Sequence, residues 1–143
     1  MKKTSFFIAA VALLTIAIAS QPRLVQATAL LSMTEAEKQA EIQFDSLRID
    51  LGTFSEKEAV QSCTFTFTNV GDAPLILNQA FASCGCTVPT YTKDPVKPGE
   101  KGKIDVTYNG KGKFTGHFSK TITVRSNAKN EIVRLTIEGT MTK

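Results

Sequence analysis

The sequence predicts an all-β fold, an immunoglobulin-like sandwich of about seven antiparallel strands, on two observations. Apolar residues alternate with polar ones at a period of two in one run after another, as half-buried strands require. Glycine, proline and asparagine clusters fall between those runs, where turns belong.

The alternation starts only after an N-terminal region of different character. Lys2 and Lys3 precede a stretch, residues 6–19, that is apolar except for Thr15. That is the layout of a secretory signal peptide, and the stretch is shorter than the roughly 20 residues that cross a bilayer. Small-x-small cleavage sites end at Ala27 and, alternatively, at Ala19. The reading is a signal peptide over residues 1–27, a linker over 28–40 and one sandwich domain over 41–143. In the linker, Ser32 and Glu35 stand at capping-box spacing before Ala36, Lys38 and Gln39, which allows one or two helical turns. The mature protein is expected to be exported to the periplasm or beyond, soluble and not membrane-spanning.

Much of the formal charge of +4 belongs to the leader, because Lys2, Lys3 and Arg23 are among the 17 basic residues and are set against 13 acidic ones. The nearly neutral remainder argues against nucleic acid as a partner. Lys93, Lys97, Lys101, Lys103, Lys111 and Lys113 gather in the central loops. Without exposed aromatics among them they read as a solvated loop surface.

From Glu41 each strand can be justified in turn. Ile42 and Phe44 begin a run that continues to Ile49 and Leu51. Cys63, Phe65 and Phe67 alternate with Ser62, Thr64, Thr66 and Thr68, and Leu75-Ile76-Leu77 is a shorter apolar run. Ile104, Val106 and Tyr108 repeat the pattern, then Phe118, Ile122 and Val124, then Val133, Leu135 and Ile137. The expected core is Phe65, Phe67, Leu75, Leu77, Ile104, Val106, Ile122, Val124, Leu135 and Ile137. Each run has one wet face, so two sheets must pack face to face. The chain has no tryptophan and no cysteine at residues 117–126, so it lacks the marks of an antibody-type domain.

These residues also carry a family resemblance. Asp50-Leu51-Gly52, Phe65-x-Phe67-x-Asn69-x-Gly71-x-x-Pro74-Leu75, Ser83-Cys84-Gly85-Cys86-Thr87, Pro98-Gly99, Gly116, Ser126-Asn127 and Gly139 occur in that order. The chain resembles, from about Ile42 to Gly139, the bacterial envelope family known as domain of unknown function 1573. The most specific element is the pentapeptide Ser83 to Thr87. The resemblance implies an immunoglobulin-like sandwich related to the major-sperm-protein and Hydin-type modules, which commonly serve in protein interaction, and no established catalysis. Leu51 stands where an aromatic residue is common in the family.

Cys84 and Cys86 hold the chain's most distinctive chemistry. On a regular strand their Cα atoms would lie roughly 6.6 Å apart with side chains parallel, at the far end of the disulfide range. A direct bridge therefore needs a bend, which Gly85 can supply by adopting positive φ. Four readings follow for the pair: a structural turn, a redox dithiol, a soft-metal site for an ion such as Cu(I), or pairing with a second chain. Zinc would want four ligands, and the chain offers three cysteines and one histidine. Cys63 is in phase with Phe65 and Phe67 and reads as a small core residue. Its alternative is a bridge to Cys84 or Cys86, which an oxidising compartment would favour.

His117 falls on the outward phase of its strand, and Lys111-Gly112-Lys113 is a hairpin tip rather than a phosphate loop. No nucleophile elbow or paired zinc histidines occur, and with one outward histidine a nucleophile lacks a base. The expectation is a non-enzymatic envelope module that binds another protein or envelope component through a sandwich edge or its loops. The alternative is a thiol protein that uses Cys84 and Cys86 for disulfide exchange or copper binding.

Overall fold

A computed structural model of the protein describes residues 37–143, in which the period-two runs become eight strands. They are β1 (Ile42–Phe44), β2 (Arg48–Ser55), β3 (Val60–Asn69), β4 (Leu77–Ala82), β5 (Thr87–Tyr91), β6 (Lys101–Asn109), β7 (Gly116–Ser126) and β8 (Ile132–Thr142). A single 3-10 turn, Glu56–Glu58, links β2 to β3 and is capped by the Ser55 side chain. The signal peptide and the linker as far as Ala36 lie outside the described residues. Residues 37–40 contain no helical turn, and Ala40 is buried.

Two four-stranded sheets form the sandwich, in the orders β1-β3-β6-β5 and β2-β8-β7-β4. The ten residues expected in the core are all buried between them. Two details depart from seven antiparallel strands. The run from Ile42 to Leu51 is broken at residues 45–47, where the chain leaves one sheet for the other, so β1 pairs antiparallel with β3 while β2 runs parallel to β8. β5 is hidden in the sequence by Pro89, which a strand tolerates when it lies at a sheet edge. Leu75 lies outside β4 and instead bridges to Val96.

The Asp50-Leu51-Gly52 motif also finds its reason. Gly52 has φ +73° and donates its N–H to Asp50 Oδ1 at 2.8 Å, and the β2–β8 register shifts there. The motif is a bulge built into the parallel pair.

One end of the sandwich is organised around Asn69, which is fully buried at the end of β3. Its Nδ2 donates to the carbonyls of Ala73 and Val96 at 2.8 and 2.9 Å. Its Oδ1 accepts from Gly71 N–H at 3.0 Å and Glu41 N–H at 3.4 Å. Backbone bonds join it to the turn before β6, with Asn69 N–H donating to Glu100 O and Gly99 N–H to Asn69 O.

Asn69→Ala would strip partners from three separate loops at once, and is expected to cost about 2 kcal/mol or more. His117→Ala, at an exposed position, should stay within about 0.5 kcal/mol. Urea denaturation of the two variants checks the contrast, and equal midpoints would contradict the role given to Asn69.

Candidate functional site

The pentapeptide Ser83 to Thr87 carries the chain from β4, at the edge of one sheet, to β5, at the edge of the other. Backbone bonds fix this crossing: Ser83 N–H donates to Thr121 O at 2.9 Å, Thr87 N–H to Cys84 O at 3.1 Å and Asn109 N–H to Cys86 O at 2.7 Å. The second of these closes a turn over residues 84–87. In it the Cα atoms of Cys84 and Cys86 come to 5.3 Å, and the two sulfurs are joined as a disulfide. The wider spacing of a regular strand does not apply, because the pair sits in a turn.

The bend does not come from positive φ at Gly85. The glycines in that region are Gly52, Gly99, Gly112 and Gly116, and a Cβ built on Gly85 would meet nothing within 4 Å. Thr87 is buried with its hydroxyl 3.8 Å from Cys86 Sγ, and the Ser83 hydroxyl accepts from Thr121 N–H at 3.4 Å. Cys86 N–H donates to Cys84 Sγ at 3.1 Å. Cys86 is 9% exposed, and Cys84 is half-buried.

Both cysteines line an open cleft of about 370 Å³ together with Tyr108, Lys113, Phe114, Phe118 and Lys120. Tyr108 comes from one sheet and Phe118 from the other, and their rings stack at 4.1 Å between centroids and 6° between planes. Phe54 meets both edge-on. Burial pushes the Tyr108 phenol above its ordinary value and keeps it neutral. Gly139 makes room for the stack, since a Cβ there would lie 3.1 Å from both Phe118 Cζ and the Gly52 carbonyl.

Sequence reasoning missed these cleft residues. Tyr108 and Phe118 read as ordinary strand residues, because a contact between sheets has no spacing signal. The signal that was available is Phe114, an aromatic residue beside Lys113 at a hairpin tip. It is fully exposed, contrary to the expectation that no exposed aromatic accompanies the loop lysines. The lysines themselves disperse: Lys103 pairs with Asp105, Lys101 with Asp45, and Lys93 lies over the Tyr91 ring.

Cys63 is bonded to neither Cys84 nor Cys86; it is a free, half-buried thiol opposite Val106 on β6. Burial pushes its pKa above the ordinary 9.0. Among the described residues no group of three or more His, Cys, Asp or Glu side chains converges to hold a metal ion. A soft ion at this end would have the two sulfurs, once reduced, as its protein donors. Among the described residues no helix is long and apolar enough to cross a membrane.

A family model described as "Protein of unknown function (DUF1573)" matches residues 42–141, the family that the motifs resemble. No curated protein matches the chain. Among solved structures, a protein of unknown function from Porphyromonas gingivalis W83 is similar with a TM-score of 0.62 at 14% identity, over 76% of this chain and 50% of that one. This chain thus spans half the length of that protein. The PapD-like domain 7 of human CEP192 has a TM-score of 0.54 at 10% identity, over 73% of this chain and 87% of that one. The periplasmic chaperone SfaE has a TM-score of 0.55 at 11% identity, over 71% and 58%. Likeness at this identity establishes the immunoglobulin-like, PapD-like fold.

Two outcomes follow from the site geometry. Gly85→Ala should leave the denaturation midpoint within about 0.5 kcal/mol of wild type, whereas Gly139→Ala should cost about 1–3 kcal/mol by crowding Phe118 and the Gly52 carbonyl. The raised Cys63 pKa means that the unfolded chain ionises this thiol first. Its contribution to stability is therefore full below pH 9.0 and is lost as pH rises through the higher folded-state value. Stability compared with a Cys63→Val variant should fall only on the alkaline side of that pH. A loss confined to neutral pH would contradict it.

Proposed function

We propose, from the premise that this chain belongs to the family described as protein of unknown function (DUF1573), that it is an exported module that binds, without any chemistry at that surface, an extended segment of another envelope protein along the open edge of β3. Export is supported by the leader in residues 1–27. The observation that carries the binding reading is the mismatch in length between β1 and β3. β1 pairs only with Phe67, Thr68 and Asn69 of the ten residues of β3. Asp45 N–H donates to Thr66 O and Val70 N–H to Glu41 O, so even-numbered residues of β3 turn their backbone groups to the β1 side. By the period of two, Ser62 and Thr64 do the same. Over residues 60–65 that edge has no strand beside it among the described residues.

Natural sheets guard such edges with charge, proline or bulges. β5 has Pro89 and β2 has its bulge at Gly52, whereas Val60–Asn69 contains no charged residue and no proline. An unguarded edge of this kind accepts an added strand, with main-chain bonds supplying affinity. The periplasmic chaperone SfaE, of similar fold, supports an interaction role for this architecture.

Thr64→Pro removes an outward N–H and, with it, an exposed hydroxyl bond to Asp105; the sandwich should still fold, because proline is tolerated at an edge. The partner recovered with wild type from envelope extracts should be lost with Thr64→Pro and kept when Cys84 and Cys86 are both serine. Hydrogen exchange on the recovered complex should show slowed Ser62 and Thr64 amides. Protection confined to the loop around Phe114 would sink the edge reading.

A further inference from the structure

We propose that Cys84 and Cys86 form an exchange-active disulfide whose substrate is a protein dithiol, an activity separate from strand capture and not dependent on it. The crossing from β4 to β5 is already fixed by the backbone bonds at Ser83, Thr87 and Asn109. The bridge spans a sequence separation of only 2, and the stabilisation gained by closing a loop grows with its length. It therefore adds little to the fold, while it stands at a cleft open to solvent.

The cleft is equipped for thiol chemistry in three ways. Cys84 is the more exposed residue of the pair, and its Sγ already accepts the Cys86 amide N–H at 3.1 Å, a donor that would stabilise a thiolate there. The Thr87 hydroxyl is 3.8 Å from Cys86 Sγ and is a donor for the other sulfur. Lys113 and Lys120 line the same cleft and favour an approaching thiolate over a neutral thiol. The exposed Phe114 and the Tyr108–Phe118 stack give the segment that carries it an apolar surface to lie on.

The exchange runs in two displacements. A substrate thiolate attacks Cys84 Sγ; the new sulfur–sulfur bond forms as the Cys84–Cys86 bond breaks, and the electron pair leaves on Cys86 Sγ, which takes a proton from solvent. The second substrate thiolate then attacks the substrate sulfur of the mixed disulfide and expels Cys84 as thiolate, which is protonated in turn. The dithiol is oxidised to a disulfide, and Cys84 and Cys86 are reduced to two thiols. Cys63 takes no part, being half-buried and not on the cleft.

The test treats the purified, folded protein at neutral pH, without denaturant, with a synthetic peptide carrying two cysteines, and counts alkylated thiols by mass after an acid quench. Native wild type should gain two thiols as an equal amount of peptide becomes oxidised. With an activated aromatic disulfide as probe, Cys84 in a Cys86→Ser variant should be trapped about tenfold faster than Cys86 in Cys84→Ser. Replacing Lys113 and Lys120 together by alanine should slow reduction by the anionic thiol 2-mercaptoethanesulfonate several-fold, and reduction by cationic cysteamine not at all. A bridge untouched until urea unfolds the protein, equal trapping in the two serine variants, or equal slowing of both thiols would overturn the proposal.

Discussion

The buried amide of Asn69 is the interaction on which the rest of the sandwich depends. Three loop segments converge on it, one directly after β3 and two distant in sequence, and each arrives with backbone groups that lose water on burial. Asparagine suits the position because one side chain offers two donors and an acceptor; leucine of similar size offers none. Asn127 and Asn130 repeat the device for neighbouring segments, exchanging paired bonds with the backbone of Ile76 and Pro74 and with both backbone groups of Ile42. Among the described residues no buried side-chain nitrogen or oxygen is left without a partner. The opposite end is held differently, by an aromatic stack between sheets and by the backbone bonds at Ser83, Thr87 and Asn109.

That division explains how much could be read from the sequence. The central strands were legible because alternation is local, and Phe65 and Phe67 declare a buried face within three residues. β5 was not, because Pro89 is a strand breaker everywhere except at an edge, and edge position is a property of topology. Asn69 could be recognised as turn punctuation for its bonds to Gly71 and Ala73, yet its bonds to Glu41 and Val96 join residues 28 and 27 apart and leave no spacing signal. At the cleft the cysteine pair and its need for a bend were legible, but the bend comes from the turn closed between Thr87 N–H and the Cys84 carbonyl, not from positive φ at Gly85. Tyr108 and Phe118 lie on different sheets, so no periodicity could bring them together.

The two candidate surfaces lie on opposite flanks. The open edge of β3 faces the β1 side of its sheet, and the disulfide corner joins β4 and β5 at the other side. A strand seated on the first would leave the second uncovered, so the module has room to hold one partner while its cysteines face another. Cys63 is chemically set apart from both uses, its thiol kept protonated by burial.

The parallel pairing of β2 with β8 has a consequence in time as well as in space. β8 lies between β2 and β7 in its sheet, and the bond from the Thr142 hydroxyl to the Phe54 carbonyl joins residues 88 apart. Until residues 132–142 have emerged, β2 has no neighbour and that sheet stays in two pieces. Such non-local closure is slow and leaves strand edges bare while it is awaited. In a chain that crosses a membrane from its N-terminus onward, that sheet stays incomplete until residues 132–142 have crossed, so that arrival of β8 sets the moment at which it closes.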